Sequence, residues 1–197
     1  IRNNIAEQHG GGITCIYSSP LISNVVISEN IATSSSNGCG GGISLGGCNA
    51  ILENVEITKN TANSRGGGIS LQNSNASLIN VTISGNAGTS HTGNGGGGIH
   101  LNSSSMNMSN TISWGNSPQE ISYWEHSGAP SIVISYSNIQ GGYEEILTYD
   151  NGTVSWLEGN IDDNPLFTDP ENGDYTLQPS SPCINAGDPD PQYNAPD

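Results

Sequence analysis

Basic side chains are almost missing. Arg2, Lys59 and Arg65 are the only three in 197 residues, against 18 carboxylates, so the formal charge is −15. Neutralising phosphates takes Lys and Arg, so the deficit excludes a nucleic-acid binder and argues against docking on an anionic membrane surface. Long apolar runs are missing too. None approaches the ~18 residues of a membrane span, so no membrane insertion is expected. Helix formers are scarce, because 27 Gly, 28 Ser, 25 Asn and 22 Ile make up half the chain, and all four types lower helix propensity. The four cysteines (Cys15, Cys39, Cys48 and Cys183) form no Cys-x-x-Cys pair, which removes the usual zinc spacing, while their even count suits an extracellular or cell-surface setting. A Ser/His/Asp triad is not indicated, because His9, His91, His100 and His126 have no catalytic motif around them.

What is present is periodic. Gly, Ser and Asn in this abundance suggest disorder, but the evenly spread Ile argues for a packed fold. Four Gly-Gly-Gly-Ile blocks end at Ile13, Ile43, Ile69 and Ile99, and each is followed at one constant distance by Asn30, Asn60, Asn86 or Asn116. A second Asn precedes each of these by six positions, at Asn24, Asn54, Asn80 and Asn110. Asn4 matches Asn30, so the series 4, 30, 60, 86 and 116 steps by 26, 30, 26 and 30. The difference falls wholly between each Asn and the next Gly block, where a short gap of nine alternates with a long gap of thirteen. A constant arm implies a stacked wall and a variable arm an exposed loop.

The constant arm alternates β-branched and polar residues: Val25/Ile27, Val55/Ile57 and Val81/Ile83 in one stretch, Ile43/Leu45, Ile69/Leu71 and Ile99/Leu101 in another. Period two implies half-buried strands, too few per unit to make a core alone. Stacking the units about 4.8 Å apart pairs each strand in parallel with its copies, giving an all-β parallel solenoid of about five to six coils. Cys15 falls with the inward Leu45, Leu71 and Leu101. Both Asn columns are read as structural, each amide donating to one neighbour and accepting from the other. The Gly blocks are read as corners with positive φ or close backbone approach. In the fourth unit Ile112 falls where Thr82 stands and Trp114 where Ser84 stands, so either a bulge restores register or an indole faces solvent.

The Gly-Gly-Gly-Ile blocks followed by Asn-Val-Thr-Ile-Ser-Gly-Asn resemble the repeats of bacterial right-handed parallel β-helix surface proteins, including the polymorphic outer-membrane-protein type. The segments Gly159–Phe167 and Gly173–Gly187 resemble the tails of large secreted β-helix proteins. The resemblance implies a right-handed helix and a secreted or cell-surface location. It implies no single activity, since the architecture carries adhesins, passenger domains, lyases and hydrolases alike. With no initiator Met, leader or anchor segment, the chain reads as a fragment. Residues 1–140 are expected to form the coils. Residues 141–197, with twelve carboxylates and no Lys or Arg, are expected to form an irregular acidic cap or tail.

Three chemistries have candidates. Asp162, Asp163, Asp169, Glu171 and Asp174 crowd into one short stretch, an oxygen-rich set that suits Ca²⁺ without matching an EF-hand loop. Trp114, Tyr123, Trp124 and Trp156 belong to an aromatic cluster that offers either sugar-stacking faces or plugs for the open end of the core. A carboxylate pair for glycoside cleavage is poorly supplied: Glu53 and Glu56 differ by three and are expected on opposite sides of a strand. The expected function is a non-catalytic extracellular spacer or adhesion module, touching polysaccharide or cell-surface glycans and needing no cofactor, with Ca²⁺ as an option. The alternatives are a pectate-lyase-like polysaccharide lyase or glycoside hydrolase, and a self-assembling surface or filament protein that associates end to end.

Overall fold

The computed structural model describes residues 1–36, 39–89, 95–126 and 128–190; residues 191–197 of the expected tail lie outside them. Similar units stack in register as a parallel β-solenoid of about six turns. Three sheets run along it. The first is Ile5–Ala6, Ile31–Ala32, Thr61–Ala62 and Ala87–Gly88. The second is Ile13–Ile16, Ile43–Gly46, Ile69–Gln72, Ile99–Asn102 and Ile121–Tyr123. The third begins with the long strands Leu21–Ser28, Asn49–Thr58 and Asn75–Ser84 and continues in shorter pieces to Thr153–Trp156. In the regular coils each strand meets its counterpart one turn away, so like pairs with like: Ile43 with Ile69, Leu45 with Leu71, Val55 with Val81, Ile57 with Ile83.

Inward columns make the core: Ile43, Ile69, Ile99 and Ile121 in one, Leu52, Leu78, Met108 and Ile134 in another, all buried. Parallel pairing does not stop at residue 140. Ser131–Ser135 pairs with Thr153–Trp156, and Asn138 bridges to Ile161, so a further turn lies beyond the compositional boundary. The chain then makes a small antiparallel pair, Phe167–Asp169 with Asp174–Leu177, and runs back along the third sheet. There Lys59 Nζ donates to the Glu171 carbonyl at 2.6 Å, and Asp188 N donates to Asn110 Oδ1 at 2.7 Å.

The two Asn columns do different jobs. Asn30, Asn60, Asn86 and Asn116 are buried and bonded in series. Each Nδ2 donates to the next Oδ1 at 2.8–3.0 Å, and that same oxygen accepts the backbone N–H of the preceding Asn. Asn24, Asn54, Asn80 and Asn110 sit at positive φ (50 to 55°), where they turn a corner in the wall. Their column is exposed at Asn24 and Asn54 and half-buried at Asn80 and Asn110, and Asn80 Nδ2 donates to Asn54 Oδ1 at 3.2 Å. This corner also resets the alternation. Leu52 and Val55 both point inward, so Glu53 and Glu56 both face out rather than to opposite sides. Asn tolerates the left-handed region better than most non-Gly residues, which explains its recurrence there.

A column of small polar side chains was not foreseen. Cys48 N donates to Ser74 Oγ at 3.0 Å and Ser74 N to Ser104 Oγ at 3.1 Å, carrying the next corner on hydroxyls instead of amides.

The fourth unit keeps its register without a bulge. Ile112, Ser113 and Trp114 pair with Thr82, Ile83 and Ser84, so Ser113 takes the buried place of Ile83 and the indole faces outward, half-buried. Glu120 then stands opposite Gly98, where a Gly ends the block in earlier coils. Its carboxylate accepts from Asn116 N at 2.9 Å, from Asn116 Nδ2, and from Ser113 Oγ at 2.8 Å. The amide series therefore ends on a buried acid, and burial pushes that carboxyl above its usual range against these donors.

Substitution should separate the two Asn columns. Asn60→Ala strands the Asn30 donors and the Ile27 carbonyl, and should cost about 2–4 kcal/mol in urea unfolding. Asn80→Gly should lie within about 1 kcal/mol of wild type, because Gly is at ease at that corner.

Candidate functional site

The outer face of the second sheet carries one polar residue per coil between its inward Ile and Leu. Thr14, Ser44, Ser70, His100 and Ser122 stand in register there. Beside them lies a second outward row, Ile16, Gly46, Gln72 and Asn102. The chain then turns through positive φ at Tyr17, Gly47, Asn73 and Ser103. The Tyr17 ring lies against Gly47, where a Cβ would sit 2.6 Å from it, so a side chain there would displace the ring. Tyr17 is 88% exposed. On the other flank His9, Cys39 and Arg65 precede the Gly blocks and are tied backbone to backbone, Gly10 N to the Cys39 carbonyl and Gly40 N to the Arg65 carbonyl.

Between these flanks runs an open groove of about 350 Å³, floored by hydroxyls and walled by Tyr17, Gln72, Asn73 and Asn102 on one side and by His9 and Arg65 on the other. No Asp or Glu lines it among the described residues. At its lower end the Arg65 guanidinium lies 3.6 Å over the Trp124 ring. His100 meets the same indole edge-on at 6.1 Å, and its Nδ1 is 2.9 Å from Ser122 Oγ. That hydroxyl also accepts from Gly96 N at 2.8 Å. Burial first, then the Arg65 charge, pushes the imidazole down to about 3, so it stays neutral and fixed as part of the floor.

The four rings expected to face a glycan do not share a surface. Tyr123 is fully buried in the column of Leu101, and its hydroxyl donates to the Thr153 carbonyl at 2.7 Å, so it is a core residue. Trp124 is covered on one face by Arg65. Trp156 packs against the last turn of the core with Tyr143 at its edge, 6.2 Å away. Trp114 sits on the third sheet beside a recess that includes Glu120, Glu145 and Asp162. Tyr17, the exposed ring of the groove, was missed. The signal was there in its alignment with Gly47, Asn73 and Ser103, a column of turn residues that places any side chain outside the wall.

The five acidic residues expected to hold calcium do not come together as one set, although Asp169 and Asp174 face each other across the small antiparallel pair. Asp169 accepts from Asn172 N and Nδ2, Asp174 from Thr176 N and Oγ1, and Asp162 from Gly141 N. Glu171 offers its carbonyl to Lys59, and Asp163 hydrogen-bonds to Asn138 through its backbone. Among the described residues no three His, Cys, Asp or Glu side chains form a metal-binding group.

The geometry defines a parallel β-solenoid with a carboxylate-free polar groove on one wall. No family model, curated protein or solved structure matches the chain.

The buried imidazole sets a pH response. His100 binds its proton far less readily folded than unfolded, so its contribution is complete above about pH 6.5 and is lost as pH falls from there towards 3. Between pH 7 and 5 this amounts to about 2 kcal/mol. Glu120, shifted upwards, acts in the opposite sense as pH rises from the ordinary Glu range. Unfolding of His100→Gln at both pH values should therefore show a loss smaller than wild type by about that amount.

Proposed function

We propose that this chain is a non-catalytic glycan-binding module of an extracellular or cell-surface β-solenoid protein, and that the groove along the second sheet is its binding surface. The observation that carries the reading is the lining: hydroxyls and amides repeated at the coil spacing of about 4.8 Å, beside an exposed phenol. An extended saccharide presents hydroxyls at intervals along its length and needs partners that both donate and accept, which Ser, Thr, Asn and Gln provide. An exposed ring supplies the apolar face on which a pyranose rests. The stacked wall holds these groups in place before the ligand arrives, so little ordering opposes binding.

The recess by Trp114 is the place a glycoside hydrolase reading would choose, since Glu120, Glu145 and Asp162 border it. Glu120, however, spends its oxygens on Asn116 and Ser113, so it is not aimed at a substrate.

A glycan array with titration calorimetry tests the main proposal. Tyr17→Ala should weaken the best ligand about tenfold, the equivalent of about 1.4 kcal/mol, while Trp114→Ala, on another wall, should leave affinity unchanged. Equal binding by wild type and Tyr17→Ala, or loss on Trp114→Ala alone, would place the site elsewhere.

A further inference from the structure

Resting on the reading of the groove as a glycan site, we infer that its ligand is an acidic saccharide whose carboxylate docks on Arg65. The chain has three cations for eighteen carboxylates, and two of the three are engaged elsewhere. Lys59 is tied to the Glu171 carbonyl, and Arg2 shares a small cleft with Glu29, Glu56 and Glu171. Arg65 alone borders the groove, and among the described residues it forms no ion pair; the ion pair they contain joins His126 to Glu125 at 3.1 Å.

A cation left without a carboxylate in so acidic a protein is a local exception, and its setting is built. The Trp124 ring lies against the guanidinium, and a guanidinium with one face so covered still has its edge for two parallel bonds to a planar carboxylate. Arg65 Nε is shielded from water and has no hydrogen-bond partner, so the two Nη nitrogens are the donors that can meet a ligand. No acidic side chain in the groove lining repels an incoming anion. Elsewhere the net charge of −15 discourages a polyanion. Such a ligand is therefore held where the surface lacks acid, with its uncharged hydroxyls on Gln72, Asn73 and Asn102.

The test compares three probes on wild-type protein by calorimetry: a hexameric oligouronate, the same oligomer methyl-esterified at every carboxyl, and a sulfated neutral hexasaccharide. The uronate should bind about tenfold more tightly than its ester, and the preference should fade as salt rises. Arg65→Gln should bring acid and ester to equal affinity while leaving ester binding in place. Arg65→Lys, which keeps the charge but not the fork, should retain only part of the preference. Because the ester comparison needs no substitution, it stands even if an Arg65 variant fails to fold. Equal binding of acid and ester by wild type would overturn the inference and leave the glycan reading intact. A preference for the sulfated probe would overturn the carboxylate assignment. Absence of binding by all three, and by every member of a neutral glycan array, would overturn both.

Discussion

Each residue in the wall of this molecule is held by its own counterpart one turn away. Parallel strands from successive coils meet in register, so a side chain that fits once must fit at every level. The Asn series shows this most sharply. An amide has both donor and acceptor, so identical groups can satisfy one another indefinitely, and the buried polar atoms within the column at Asn60 and Asn86 are all answered. Gly stands beside that column for a reason of space: a Cβ on Gly42 or Gly68 would come within 2.7 Å of the carbonyl oxygen of the next block and 3.1–3.2 Å of the Asn60 or Asn86 amide nitrogen.

A column of amides needs an end, and the fourth and fifth coils supply one. Ser113 replaces an Ile in the core and Glu120 replaces a Gly in the block, two changes that look like decay when read singly. Together they build the acceptor that Asn116 requires. Past this point the solenoid closes with larger side chains, Tyr123 and Trp156 filling columns that hold Leu or Ile higher up. The groove belongs to the regular coils above, and its Arg65 reaches down to the indole where the irregular part begins.

The architecture was legible because it is written several times over. The constant arm, the Gly blocks and the Val-x-Ile alternation each pointed to the same stacked strands, and the inward places of Leu45, Leu71 and Leu101 follow from period two. What escaped was set by corners. Period two cannot see a residue at positive φ, so the shared outward facing of Glu53 and Glu56 across Asn54, and the exposure of Tyr17, were hidden. Clusters in sequence also misled. The carboxylates from Asp162 to Asp174 are near neighbours along the chain, but among the described residues no three of them gather; Asp169 and Asp174 stand opposite each other in the small antiparallel pair, and each accepts from its own turn. The Arg65–Trp124 stack joins an aromatic-poor stretch to a distant aromatic-rich one, and no spacing rule announces it.

The gap between each buried Asn and the next Gly block alternates between a short and a long form, and it opens onto the flank where His9, Cys39 and Arg65 stand. Beyond the two-residue strands of the first sheet, length and composition can change there without disturbing the stacked pairs. The molecule thus separates a fixed chassis from an editable rim. Gene duplication of one unit copies the support intact, while point changes and short insertions retune what the surface recognises, much as hypervariable loops do on an immunoglobulin frame.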